Sequence, residues 1–408
     1  MMALALALAL ALALALALTA GGICAGTLAV ETGGAASAAW TREETTVKNF
    51  GFGCMRLPMA GDEVDPAHFS AMVDRFLAAG FTYFDTAHGY IDGKSETALR
   101  ECLVKRYPRE RYQLTNKLTA NYFETEADLP ALFADQLEKT GVTYFDYYLL
   151  HALTADVYPK FERCNTFAFA AKLKAEGKIR HLGLSFHDGA ALLDRILTEH
   201  PEVEVVQLQL NYIDYDDPTI QGRENYEVCV RHGKPVIIME PCKGGGLTDL
   251  PEDAQAVFAR LGGPPASYAI RYTASFPLVF MVLSGMSSLA QMEENIGFMA
   301  DFKPLDAREG AAVEEVRQIL KKRDLIACTA CRYCVAGCPQ RIPIPDLFAC
   351  FNAKKQYLDW NSNFYYSVTT NQRGKASDCI QCGACERDCP QHLPIRALLG
   401  DVAAALES

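Results

Sequence analysis

The chain has 408 residues, half of them apolar, with 39 basic against 50 acidic side chains and a formal net charge of −11. That length and apolar content suffice for two or three domains with a sizeable buried core. The acidic balance, with no basic run anywhere, excludes a nucleic-acid partner, whose phosphates demand a basic surface.

Residues 1–46 stand apart as a low-complexity apolar segment and linker. MMALALALALALALALAL is a strict two-residue repeat, and no charged side chain occurs before Glu31. Its length matches a bilayer span or the apolar part of an export signal, and Ala36-Ser37-Ala38 is similar to a cleavage site. The basic start and the twin arginine of export signals are missing. The cysteines point to a reducing compartment: eight of the fifteen fall in two paired runs, and the other seven (Cys24, Cys54, Cys102, Cys164, Cys229, Cys242 and Cys350) lack disulfide-framework spacing. A cytoplasmic mature protein is therefore expected. A membrane-anchored or exported one is the alternative, with membrane contact only if residues 1–30 are retained.

From residue 47 to 305 short apolar strands alternate with amphipathic helices, the pattern of a parallel sheet covered by helices. Eight strands are read at 51–56, 82–87, 112–118, 144–152, 179–186, 205–212, 235–241 and 278–286. Between the first two, HFSAMVDRFLAAG sets Phe69, Met72, Val73, Phe76 and Leu77 on one helical face before Gly80 ends the turn. Eight such pairs in about 250 residues make an α/β fold of the (β/α)8 TIM-barrel type. An open doubly wound sheet would need a Gly-rich loop after its first strand, and no GxGxxG stands there.

In such a barrel the chemistry lies at the C-terminal strand ends. Those ends offer Asp85, with Tyr90 in the following loop, then Lys117 and His151. A phenol of ordinary pKa near 10 is a poor acid at neutrality. A lysine cation beside it favours the phenolate, and an aspartate holds that lysine in place. A histidine donates a hydrogen bond that orients a carbonyl oxygen. Each residue alone has a structural use, as a cap, a surface charge or a core histidine; the four together at strand ends suit protonation of a carbonyl oxygen while hydride arrives at carbon. Cys242, in EPCKGGG, lies near the mouth, where reactivity would require a depressed pKa. The KGGG loop is read either as a phosphate cradle or as a flexible turn.

Residues 306–327 carry helical periodicity, with Val313, Val316, Ile319 and Leu320 on one side, and read as a linker helix. Residues 328–408 then hold two runs, CTACRYCVAGCP and CIQCGACERDCP, each with gaps of two, two and three and a proline after the last cysteine. In that spacing three thiolates grip one 4Fe-4S cluster and the fourth cysteine reaches its neighbour. Cys328, Cys331, Cys334 and Cys389 are thus expected on one cluster, and Cys379, Cys382, Cys385 and Cys338 on the other. Zinc knots are the alternative for CxxC pairs, but zinc has no use for a repeated fourth cysteine followed by proline. The residues between the runs, including PDLFACFNAKKQYLDW and NSNFYYSV, read as helical, so a small, mainly α-helical ferredoxin-like domain is expected, its aromatic residues packed around the clusters.

FDTAHGYIDGKSE, LTNKL, YYLLH, GLSF, QLQLNY and SGMSSLAQMEENI together resemble the aldo/keto reductase family over roughly residues 47–303, and the joined ferredoxin-like tail resembles one branch of it. The resemblance implies Tyr90 as general acid, Asp85 and Lys117 as its tuning pair and His151 as the carbonyl-orienting residue. It further implies Ser185 and Gln209 at the nicotinamide amide, Glu294 and Asn295 near the adenine end, and a small-molecule carbonyl or alcohol as substrate. Three positions depart from the family pattern: Phe186 stands where asparagine is common, Met239 where an aromatic ring stacks on nicotinamide, and Gln291 where a cation binds the 2′-phosphate. NADPH and NADH both remain open. Because nicotinamide moves a hydride and a cluster moves single electrons, three functions follow. One is an oxidoreductase whose tail relays electrons from an external carrier, with a flavin admitted as intermediary although no motif supports it. The second is a nicotinamide-dependent carbonyl reductase with structural or redox-sensing clusters. The third is a non-catalytic barrel serving as a binding module in an electron-transfer assembly.

Overall fold

The computed structural model describes residues 49–217, 220–321, 325, 326, 328, 330–357, 361–389 and 391–408. The expectations for residues 1–46 lie outside them. Among the described residues no helix is long and apolar enough to cross a membrane.

Eight parallel strands close into a barrel: β1 (Phe50–Gly53), β2 (Tyr83–Asp85), β3 (Gln113–Thr119), β4 (Phe145–Leu153), β5 (Ile179–Phe186), β6 (Val205–Gln209), β7 (Val236–Met239) and β8 (Val279–Gly285). Each pairs with the next, and β8 closes on β1. A short antiparallel hairpin, Met59–Ala60 with Glu63–Val64, follows β1. The first barrel helix, Pro66–Ala78, starts where the Asp65 carboxylate accepts from the amides of Ala67 and His68, and it buries the five apolar residues of its predicted face.

Alternation along each strand sorts the side chains into two sets. Phe84, Leu114, Tyr148, Leu184 and Val206 point outward into the layer between sheet and helices. Tyr83, Tyr147, Leu149, Val205 and Ile237 fill the barrel interior as a separate apolar cluster. At Gly183 the interior is too tight for any side chain: a Cβ there would sit 2.6 Å from both Leu149 Cδ2 and Val205 Cγ1. The same parity that turns Tyr83, Leu149 and Val205 inward turns Asp85, Lys117, His151, Ser185, Gln207 and Gln209 inward above them. Register agrees, since Lys117 pairs with Leu149, Thr119 with His151 and Ser185 with Gln207.

Helix Ala307–Lys321 packs on the barrel side, burying Val313, Val316 and Leu320 with Leu250, Val257 and Phe258. Arg271 pairs with Glu309 at 2.6 Å and Arg317 with Asp216 at 2.5 Å. The tail is helical, as its sequence predicts, with helices Ile344–Tyr357, Asn361–Thr370 and Ile395–Leu406 around Ile342, Ile344, Leu347, Phe348, Ile395, Leu399 and Val402. The two cysteine runs share one conformation. Cys334 and Cys385 each sit in a one-turn helix, Tyr333–Ala336 and Ala384–Arg387. Positive φ recurs at equivalent places, at Ala330 and Gln381, at Arg332 and Gly383, and at Arg341 and His392.

Candidate active site at the mouth of the barrel

The four residues singled out for chemistry come together at the C-terminal ends of β2, β3 and β4. Lys117 is fully buried, and a buried ammonium needs partners for all its donors. It finds three: Asp85 Oδ1 at 2.5 Å, the Thr86 carbonyl at 2.8 Å and the Tyr90 hydroxyl at 3.2 Å. Gln207 donates to the other Asp85 oxygen at 3.2 Å. The Tyr90 ring lies 4.7 Å from the ammonium and packs edge-on against His151, with ring centroids 5.9 Å apart. His151 in turn has its Nδ1 2.7 Å from the Thr119 hydroxyl.

The backbone bends to present His151. Register slips between Leu150 and Leu153, where Ala152 adopts φ 55° and its amide donates to Ser185 Oγ at 2.7 Å. A bulge of this kind re-aims the neighbouring side chain, and positive φ in a non-glycine residue is a strain tolerated at functional sites. Under the Tyr90 loop, His88 and Asn116 both bond the buried Glu96, at 2.9 and 2.7 Å, fixing the turn that carries the phenol.

Burial sets the protonation states. Desolvation is the largest influence on Lys117 and works against its charge, but Asp85 and Tyr90 outweigh it and its pKa rises. His151 falls well below the ordinary histidine value, through burial and then the Lys117 charge and His187, so it is neutral. For Tyr90 the lysine does oppose the effect of burial, as the sequence suggests, yet burial is larger and the phenol ends above its ordinary pKa. The expectation that the cation lowers the phenol is corrected in its net sign: this phenol stays protonated at neutral pH.

His187, after β5, is held down to about 4 by burial and then by Lys117. In the unfolded chain it takes up a proton near the ordinary value of about 6.5, which the folded chain refuses until about 4. Its contribution to stability is complete above about pH 6.5 and shrinks as pH falls toward 4. Denaturant unfolding at pH 7.5 and 5.0 is expected to show a loss of stability at the lower pH that His187→Asn reduces.

The residues tied to nicotinamide are spread out. Ser185 and Gln209 are buried at the inner rim, the serine bonded to the Ala152 amide and the glutamine donating to Asp214 Oδ2 at 2.9 Å. A hydroxyl and a primary amide at that rim suit a carboxamide ligand. Asn295 is buried and donates to Ser284 on β8 at 3.0 Å, whereas Glu294 is exposed on the same helix. Cys242 has its thiol pushed up to about 12 by burial, the reverse of an activated cysteine. The KGGG amides are taken internally: Gly244 donates to Glu240, Gly245 to the Cys242 carbonyl and Gly246 to that of Lys243. The turn is therefore closed on itself rather than presented as a phosphate cradle.

Sequence reasoning passes over several participants. Asp214 accepts from Gln209, from Asn211 at 2.6 Å and from the buried Lys243 at 2.6 Å. Tyr365, in the tail, donates to Gln209 Oε1 at 3.0 Å and lies 3.0 Å from His187 Nδ1. The NSNFYYSV aromatics join the apolar cluster that holds Cys334, Cys385 and Cys389, as expected, but their polar ends part: Tyr365 and Phe364 meet His187, while the Tyr366 hydroxyl bonds Glu407 and the Ala376 amide. The only local sign is the paired tyrosines at 365 and 366, which helical geometry turns to different faces.

In the tail Cys328, Cys331, Cys334 and Cys389 line one cavity with Ile344 and Phe348, and Cys338, Cys379, Cys382 and Cys385 line a second with Ile342 and Leu399. Each set takes its fourth member from the other run. Among the described residues the only three metal-binding side chains whose donor atoms fall within 4.8 Å of one another are the surface group Glu162, Glu199 and His200. All-thiolate donors in two sets of four, against apolar walls, fit iron-sulfur cubanes.

The model of the aldo/keto reductase family matches residues 49–318, and that of the 4Fe-4S dicluster domain matches residues 327–393. An aldo-keto reductase of Strobilurus tenacellus is 26% identical over 319 residues, covering 67% of this chain and 90% of that protein. The NAD(P)H-dependent D-xylose reductase of Candida tenuis is 30% identical over 189 residues, 40% of this chain and 55% of that protein. Among solved structures, the holo form of an aldo-keto reductase from Bacillus halodurans superposes with a TM-score of 0.55 at 25% identity, covering 66% of this chain and 92% of that one.

Proposed function

The chain belongs to the aldo/keto reductase family, and we propose that it is an oxidoreductase that reduces a small carbonyl compound, or runs the reverse, with Tyr90 as proton donor and two 4Fe-4S clusters in its tail. The observation that carries this reading is the Lys117 ammonium, which touches Asp85 and the Tyr90 hydroxyl at once. Tyr90, kept protonated by burial, gives its proton to the carbonyl oxygen, and the adjacent ammonium stabilises the phenolate that remains. His151, neutral, orients that oxygen through its Nε2, since its Nδ1 is engaged by Thr119. Ser185 and Gln209 would hold a nicotinamide carboxamide, as the NAD(P)H dependence named for the xylose reductase relative suggests. When bound, that group supplies or accepts the hydride.

Cys328, Cys331, Cys334 and Cys389 would ligate one cluster, and Cys338, Cys379, Cys382 and Cys385 the other. Clusters held there would supply one-electron transfer, and with it the tail would relay electrons between an external carrier and the barrel. A structural role for them is favoured by a different observation, the burial of Cys334, Cys385 and Cys389 within the tail's own apolar core.

One anaerobic preparation tests these points. About eight irons per chain are expected, with broad visible absorption that bleaches on reduction; stoichiometric zinc in their place would sink the cluster assignment. Chemically reduced protein, given oxidised nicotinamide and a carbonyl substrate, is expected to reoxidise, and Cys382→Ser to abolish this. Reoxidation no faster with substrate than without it assigns the clusters to structure.

A further inference from the structure

The tail enters the site that the barrel presents. Helix Asn361–Thr370 carries Tyr365, which is 5% exposed, and delivers its hydroxyl to the barrel rim between Gln209 Oε1 and His187 Nδ1, 3.0 Å from each. The Phe364 ring closes on His187 beside it, with centroids 5.2 Å apart. Gln209 has little freedom to answer by turning over. Its amide nitrogen is spent on Asp214, and that carboxylate is pinned by Lys243 and Asn211. The Gln209 carbonyl is consequently aimed at Tyr365, and a phenol oxygen 3.0 Å away occupies the space in front of it.

Resting on the assignment of Gln209 to the carboxamide, we propose that Tyr365 is a tail-borne component of the nicotinamide site, holding the place on Gln209 that the carboxamide N–H would take. The Tyr365 hydroxyl takes one acceptor position of that carbonyl, and with the helix docked Gln209 is only 4% exposed, so nicotinamide and the docked tyrosine exclude each other there. Seating the cofactor requires the helix Asn361–Thr370 to give way there, and a docked helix weakens cofactor binding. Because coupling between two binding events is reciprocal, nicotinamide must loosen the helix by the same factor by which the helix weakens nicotinamide.

The test uses the full-length protein with its metal content measured. NADPH and NADH binding is titrated by fluorescence for the parent chain, Tyr365→Phe, Tyr365→Ala and Gln209→Ala. Loss of one competing hydrogen bond is expected to tighten binding about fivefold to tenfold in Tyr365→Phe, and Tyr365→Ala to bind at least as tightly, both at unchanged iron content. Hydrogen exchange of the amides in 361–370 is expected to speed up when NADPH is added to the parent chain. Unchanged or weaker binding in both Tyr365 variants, or slower exchange with NADPH, overturns the proposal. If binding weakens in Gln209→Ala while the Tyr365 variants match the parent, the proposal fails and the cofactor assignment stands. If neither nucleotide binds the parent or any variant, the assignment fails and takes the proposal with it.

Discussion

Tyr90→Phe is expected to lower carbonyl turnover by roughly a hundredfold or more, the scale of a lost general acid, while leaving nicotinamide affinity nearly unchanged. The substitution removes one oxygen from a ring whose packing against His151 and over the Lys117 ammonium is otherwise preserved. Stability should therefore hold while the chemistry fails. Because burial raises the phenol above its ordinary pKa, the donor stays protonated through neutral and mildly alkaline pH, and carbonyl reduction is not expected to lose its acid below about pH 10. Steady-state rates of the parent chain and Tyr90→Phe from pH 6 to 9.5 check both statements. A variant turning over within a few-fold of the parent would move the donor role elsewhere.

Lys117→Ala is expected to be the most damaging single change in the barrel, for two separable reasons. It strips the cation from Asp85, which is itself 2% exposed, and an uncompensated buried carboxylate costs about 3–5 kcal/mol. It also leaves the Tyr90 phenolate without its neighbour, so activity falls even in molecules that fold. Asp85→Asn in the Lys117→Ala background removes the orphaned charge, and denaturant unfolding is expected to recover a large part of the lost stability without recovering turnover. The coupling measured in that double-mutant cycle isolates the pair. Additive losses of stability would show that the 2.5 Å contact carries no special weight.

Much of this was legible in the sequence because it is written in local patterns. Strand β5 has the ends its sequence indicates, Ile179–Phe186, since a short apolar run directly after the Glu176-Gly177 turn marks it within a few residues. Position at the C-terminal strand ends was enough to bring Asp85, Lys117 and His151 to one mouth, and the cysteine spacing was enough to set Cys328, Cys331 and Cys334 beside Cys389 in one cavity. These features depend on neighbours a few positions away, or on a repeat that names its own partner.

What the tertiary structure alone decided depends on partners that no periodicity announces. The net direction of the Tyr90 pKa is a contest between burial and one lysine, and only packing sets how dry the phenol is. The Ala152 bulge that aims His151 arises from registering β4 against β5. Tyr365 reaches Gln209 across 156 positions of chain. From sequence its ring was one more aromatic between cysteine runs, because the hydrophobic effect that buries it is non-directional. Which surface receives it follows from how the whole tail seats on the barrel.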